Sequence, residues 1–374
     1  MIVMNIKMDN LLLFQNFEIS MAYPKRIVNS GIPDEVLSEF PNFRYKKLVV
    51  LMGANATGKT AFGKVLMGIF NFITRKESIW VTRLIECKKK VAFFEVDFAF
   101  PEEKKLVRVA VSFDALKDEE SDYTVKDIHA RIRSEKILAN DSYEKCISRM
   151  LTKSNETLGS YTEIFEEVPT LTWHFEYPYA TDTRRRIISP FNRTAYAEML
   201  KRTLRVLDTR IEDVTPVPEN PDAYNVIYEN KAIMINKGKP VEEGVLSSGT
   251  VEGIGIADLI TSMKSGGMDF FFCDEKFSHV QSEIEKAYLS VMIKLIGKDR
   301  QLFVTTHNSD ITEMFIPFHS FAFLRRDDSD HHRISVMYAS DLLKKNTESL
   351  KNAIDNDLFL ASPDVDDVFL LAEE

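Results

Sequence analysis

The chain has 374 residues, room for two or three structural units of about 150 residues or for one α/β domain carrying an insertion. Hydrophobic residues at 44% and charged residues at 28% supply an ordinary core and exclude a disordered chain. A net charge of −9 argues against a general polyanion binder, and three dispersed cysteines, Cys87, Cys146 and Cys273, fit neither a disulfide framework nor a zinc site, which points to a reducing, cytoplasmic setting.

In chain order, residues 1–17 alternate apolar with polar side chains and read as a strand pair entering a sheet. They lack the basic-then-apolar order and cleavage site of a signal peptide. Residues 46–52 (KKLVVLM) are a short apolar run with paired valines, the mark of a buried strand. A glycine-containing loop follows, after which Val65, Leu66, Ile69, Phe70 and Ile73 recur at helical spacing. Residues 90–100 and 105–113 read as two antiparallel strands around a turn at Pro101-Glu102-Glu103. From 118 to 167 the chain is polar and charged. The spacing there predicts helices over 123–138 and 142–151 and no strand, and no heptad is sustained for a coiled-coil arm. Aromatic, strand-like sequence returns after Pro169 (LTWHFEYPYA), an amphipathic helix is expected over 196–207, and a hairpin over 223–240. Beyond residue 247, helices at 251–263 and 281–296 alternate with strands at 269–273, 301–305 and 321–325. Such alternation predicts a largely parallel sheet with covering helices. Nowhere do about 18 apolar residues run consecutively, so no membrane span is expected.

Four motifs carry chemistry. Gly53-Ala54-Asn55-Ala56-Thr57-Gly58-Lys59-Thr60 fits G-x-x-x-x-G-K-[ST] at every fixed position, with Ala61 continuing into the helix. Backbone N–H groups of such a loop wrap a phosphate, Lys59 neutralises its oxygens, Thr60 coordinates Mg²⁺, and the helix dipole faces the anion. A chance match would lack the strand before and the helix after; both are present. Second, the apolar strand 270–273 ends in Asp274-Glu275. Asp274 is placed to hold a magnesium shell and Glu275 to polarise an attacking water. Read without the glycine loop, this would be a buried strand ending in a polar turn. Third, Ser247, Ser248 and Gly249, within Leu246-Ser247-Ser248-Gly249-Thr250, precede a helix. Hydroxyls and a glycine there suit an anion, and they equally suit an ordinary N-cap. Fourth, the strand 301–305 delivers His307, placed to touch a γ-phosphate or the lytic water, although a lone histidine is more often structural.

The order of these motifs resembles the ABC class of P-loop ATPases, with Walker A, signature, Walker B and switch histidine in sequence. More narrowly, the MGANATGKT loop, LSSGT and TTHNSD resemble the OLD-related, AAA-type ATPases of bacterial antiphage defence and abortive-infection systems. The resemblance covers about residues 1–75 and 195–350. It implies an α/β, ABC-type head, a mixed sheet with an antiparallel N-terminal part and a parallel core, plus a mainly helical insertion. The expected division is 1–117 with the glycine loop, 118–194 as insertion or lid, and 195–374 with the remaining motifs. It further implies ATP and Mg²⁺ as ligands, Glu275 and His307 as catalytic groups, and Thr60 and Asp274 at the metal. The 247–249 turn of one subunit would close over ATP held by another. The chain would then be at least a dimer that controls a separately encoded effector, a nuclease or toxin.

Two departures stand out. The family's glutamine between Walker A and signature is missing, since the chain has only Gln15, Gln281 and Gln301. The nuclease domain of OLD proteins is missing too, because 67 residues follow His307. The first departure keeps open a second reading, a scaffold that holds ATP with little turnover and sequesters an effector. A third reading, an ATPase that senses DNA ends, rests on Arg184-Arg185-Arg186 and Arg193 and is opposed by the net charge.

Overall fold

The computed structural model describes residues 1–28, 30–153, 156–176, 192–229, 231–326, 333–343 and 348–359. They form two compact units, one of Met1–Leu171 with Thr312–Glu374 and one of Thr172–Ile311.

The first unit begins with β1 (Ile2–Asp9), β2 (Phe17–Ser20), the short pair β3 (Val36–Leu37) and β4 (Phe40–Arg44), and the fully buried β5 (Leu48–Met52). Helices α1 (Lys59–Arg75) and α2 (Ile79–Thr82) follow. Next come β6 (Ala92–Phe100), β7 (Lys105–Phe113), β8 (Ile128–Lys136), α3 (Tyr143–Thr152), β9 (Glu156–Gly159) and α4 (Tyr161–Ile164). Strands in the order β2-β1-β6-β7-β8-β9 build an antiparallel sheet. Helix α1 lays its aromatic face on it, Phe70 against Phe98 and Phe72 against Phe94 and Phe113. Strand β1, β5, α1 and the β6–β7 hairpin thus lie where hydrophobic periodicity put them, whereas β2 begins only at Phe17, where the expected strand pair of residues 1–17 ends.

One expectation is corrected. Residues 123–138 were expected as helix, but 128–136 form β8, paired along its whole length with β7. The sequence IHARIRSEK is rich in Arg, Lys and Glu, which favour helices. Yet Ile128, Ala130 and Ile132 are buried while His129 and Arg131 are exposed. That period of two is the strand signal, and pairing to β7 overrides local propensity. Strand β9 was likewise unexpected within 118–167, whereas α3 matches the helix expected over 142–151.

The second unit contains β10 (Trp173–Glu176), α5 (Arg193–Leu207), the meander β11 (Ile211–Pro216), β12 (Ala223–Tyr228), β13 (Lys231–Asn236) and β14 (Lys239–Pro240), then α6 (Ser248–Ser265), β15 (Phe270–Asp274), α7 (Ser282–Leu295) and β16 (Gln301–Thr305). Strands β10, β15 and β16 are parallel neighbours. They stack Phe175, Phe270, Phe272 and Phe303. Apolar residues of α5 and α6, among them Leu200, Leu204, Ile254 and Ala257, cluster with Val214 and Val226 of the meander.

The chain completes the first unit with β17 (Phe321–Arg326), parallel to β5, then β18 (Ile334–Tyr338), antiparallel to β17, and the short helices α8 (Ala339–Leu342) and α9 (Leu350–Asp355). Both the antiparallel part and the parallel pairing expected of the sheet are therefore present. No helix among the described residues is long and apolar enough to cross a membrane.

Just before β5, Lys46 is buried with its Nζ donating to the Ser20 carbonyl at 2.8 Å and 3.2 Å from the Tyr338 ring centroid. Burial pulls its pKa down to about 7, against the opposing charge of Asp341. The unfolded chain, with an ordinary lysine, therefore binds more protons between about pH 7 and 10, and this group makes stability rise with pH across that window. We predict that urea denaturation of wild type minus Lys46→Met will show this slope, up to about 1.4 kcal/mol per pH unit.

Candidate functional site

The 53–61 loop joins β5 to α1 in the first unit. Gly53 (φ 148°), Ala56 (φ 61°) and Gly58 (φ 98°) all have positive φ, and for the two glycines the reason is also spatial. A Cβ on Gly53 would overlap the Leu324 carbonyl oxygen, and one on Gly58 would come within 2.8 Å of Ile334 Cδ1. The loop thus curls tightly around Lys59, whose Nζ donates to the carbonyls of Gly53 at 2.9 Å and Ala54 at 3.0 Å. Thr57 Oγ1 also donates to the Ala54 carbonyl, at 2.8 Å. Asn55 and Ala56 are exposed at the crest, and Thr60 is half-buried in the first turn of α1. That turn contains no acidic residue, and its N–H groups and the helix dipole give it a positive end.

The acidic pair, the histidine and the 247–249 turn all belong to the second unit. Parallel pairing puts Asp274 of β15 in register with Thr305 of β16. The Thr305 hydroxyl donates to Asp274 Oδ1 at 2.7 Å, and the Glu275 N–H donates to the same hydroxyl at 2.9 Å. Asp274 is fully buried. Glu275 turns out of the strand with φ 45°. Its Oε1 lies 2.7 Å from His307 Nε2, and both side chains are partly exposed. Sequence reasoning proposed these two residues separately; here they are one pair, in a cleft of about 430 Å³ lined also by Phe277, Ser278 and Asn308.

The strand end that carries His307 is clamped by α7. Thr306 Oγ1 donates to Glu285 Oε1 and Asn308 Nδ2 to Glu285 Oε2, each at 2.7 Å. Both carboxylate oxygens are thereby used by the residues on either side of the histidine. Burial raises the Glu285 pKa while these two donors oppose the shift. Asn308 also donates to Ser282 Oγ at 2.9 Å, and Ser282 to Asp310 Oδ2 at 2.9 Å.

Ser247 caps α6, its Oγ accepting from the Thr250 N–H at 3.2 Å. It is therefore an N-cap, as the plainer reading had it. The capping oxygen also pairs with the Thr250 hydroxyl at 2.8 Å, while Ser247 and Ser248 remain exposed at the N-terminus of an 18-residue helix, so the anion reading stands beside it. One turn further, Glu252 Oε1 lies 2.6 Å from His279 Nδ1.

No protein-family model matches the sequence, and no curated protein matches it. Among solved structures, the fold is similar to an SMC head domain from Thermotoga maritima, at 13% identity and TM-score 0.47 over 90% of this chain and 99% of that one. It is also similar to an SMC head bound to the C-terminal winged-helix domain of ScpA, at 12% identity and TM-score 0.47 over 94% of this chain and 99% of that one. A third is an SMC head with an extended coiled coil bound to the C-terminal domain of ScpA, derived from Pyrococcus furiosus, at 10% identity and TM-score 0.46 over 96% and 99%.

The supporting residues Thr305, Thr306, Asn308, Glu285 and Glu252 escaped sequence reasoning. A signal existed for some of them, because hydroxyl and amide side chains flank His307 directly and Glu285 sits at helical spacing on the element before it. Arg184 to Arg186 fall outside the described residues. Arg193 Nη2 donates to the carbonyls of Val217 and Asn220, each at 2.8 Å. The clamp makes a prediction. Glu285→Ala should raise hydrogen exchange of the 306–308 amides by about tenfold or more, read by mass spectrometry, because each lost charge-assisted hydrogen bond is worth about 1.5–3 kcal/mol.

Proposed function

We propose that the protein is an ABC-class ATPase that binds ATP on the 53–61 loop and hydrolyses it. The observation that carries the reading is the Glu275–His307 pair at 2.7 Å. A carboxylate emerging from a buried strand into a cleft, with an imidazole on its oxygen, suits general-base activation of water and a response to a terminal phosphate. The loop residues Gly53, Ala54, Asn55, Ala56, Thr57, Gly58, Lys59, Thr60 and Ala61 would take the phosphates. Lys59 would exchange its two carbonyl partners for phosphate oxygens.

By motif, Thr60 and Asp274 would be the ligands for Mg²⁺. A fully buried carboxylate already holding a hydroxyl is chemistry suited to a hard cation. The metal would neutralise charge on the phosphates. The 247–249 turn, exposed at a helix N-terminus, would accept the nucleotide of a second copy, so ATP would join two subunits and hydrolysis release them. From the family resemblance, this cycle would control a separately encoded effector, a nuclease or toxin, in antiphage defence in the cytoplasm. The missing glutamine favours one alternative, an ATP-holding scaffold with little turnover.

Steady-state hydrolysis with oligomer mass separates the two. Glu275→Gln should lower kcat roughly a hundred- to ten-thousandfold while accumulating an ATP-bound species of twice the monomer mass. Lys59→Ala should lose ATP binding and the mass change together. ATP binding by a wild type that neither turns over nor changes mass would favour the scaffold; absence of ATP binding would refute both readings.

A further inference from the structure

Behind the Glu275 carboxylate lies a second polar chain that the reading above does not use. Lys276, the next residue, turns inward and is 3% exposed. Its Nζ is 3.6 Å from Glu176 Oε2. Glu176 Oε1 is 2.9 Å from His174 Nε2, and His174 Nδ1 is 2.7 Å from Ser262 Oγ on α6. All four residues are buried. The chain runs from the helix that opens with Ser248 to the residue beside Glu275. A buried ion pair is seldom a net source of stability compared with apolar residues of the same size, so its presence here calls for another role.

Space around α6 indicates that role. A Cβ on Gly255 would overlap Lys276 Cε and lie 2.7 Å from Glu176 Oε2. The helix is thus notched where the ion pair passes. It is notched again at Gly249, where a Cβ would lie 2.9 Å from the His279 carbonyl oxygen. At this second notch Glu252 takes His279 Nδ1 at 2.6 Å, the His279 N–H at 3.2 Å and Ser278 Oγ at 3.1 Å. The 275–280 loop is therefore gripped by α6 at both ends. Immediately before the first grip sits Glu275 in a left-handed conformation, which a non-glycine residue keeps only when its surroundings impose it.

We propose that Lys276, Glu176 and His174 are positioning residues that tie the orientation of the Glu275 carboxylate to α6, so that an anion taken up by the 247–249 turn is felt at the group that activates water. This rests on the ATPase reading and deepens it: the nucleotide of one subunit sets the general base that serves another. The geometry gives the tie a direction. A force on the N-terminus of α6 acts along a rigid helix, and the two notches convey it to the loop without altering the strand that ends at Asp274.

The test compares full-length wild type, Lys276→Met, and the double variant Lys276→Met/Glu176→Met, following kcat, KM, thermal midpoint and ATP-dependent mass. The single variant strands a buried carboxylate and should lose stability. The double variant removes both charges and should melt near wild type. Its kcat should nevertheless fall roughly ten- to a hundredfold, with KM within about twofold and ATP-driven doubling of mass retained. Gly255→Ala, which fills the notch and displaces the ion pair without removing either charge, should reproduce that split. A double variant with wild-type stability and wild-type kcat would overturn the proposal while leaving the ATPase reading intact. A wild type that binds no ATP and shows no turnover would instead overturn the ATPase reading, and the positioning role with it.

Discussion

Parallel hydrogen bonding between β15 and β16 fixes where everything chemical in the second unit lies. With Asp274 opposite Thr305, both strands run out of ladder at the same level, and the residues that follow must find partners beside one another. Glu275 meets His307 because each is the first or second residue past a buried strand end, and one hydroxyl, that of Thr305, holds both Asp274 and the Glu275 N–H. A slip of one residue in this register would turn Asp274 to the opposite face and part the acid from the histidine.

Around that end the unit is built from buried polar groups that satisfy each other. Glu285 serves the two neighbours of His307, Glu252 serves Ser278 and His279, and Tyr196 bonds Asp258 between α5 and α6. Each arrangement uses a carboxylate on a helix to hold a strand end, a loop or another helix. The helices supply rigidity, and the carboxylates supply direction, which apolar packing does not. Glu275, His307, Ser247 and Ser248 reach solvent, whereas Asp274, Glu252, Glu285 and Thr306 are buried.

How far the sequence foretold this depended on the range of the forces involved. The 53–61 loop was legible because its conformation is local: glycines at 53 and 58 and the lysine follow directly from chain geometry. Strands 270–274 and 301–305 were legible as apolar runs bounded by polar residues. Strand β8 was misjudged because its helix-favouring charged residues are local, while the pairing that overrules them comes from β7, about twenty residues away. His174, Glu176 and Lys276 were invisible for the same reason. Nothing in their own neighbourhoods distinguishes them, and their meaning arises only when three separate segments and α6 converge. Gly249 was noticed, but as part of an anion-binding turn or an N-cap, whereas in the fold Gly249 and Gly255 each make room for the 275–280 loop.

Those glycines have a bearing on how the second unit acquires its shape. Each glycine in a helix interior costs about 1 kcal/mol relative to alanine, and α6 has Gly249, Gly253 and Gly255 within its first eight residues. In isolation its N-terminal half is a weak helix, and its contacts with α5 and the 275–280 loop must supply what propensity withholds. The helical form of residues 248–255 therefore depends on tertiary contacts more than on local propensity. A chain that lacks those contacts has no finished 247–249 turn.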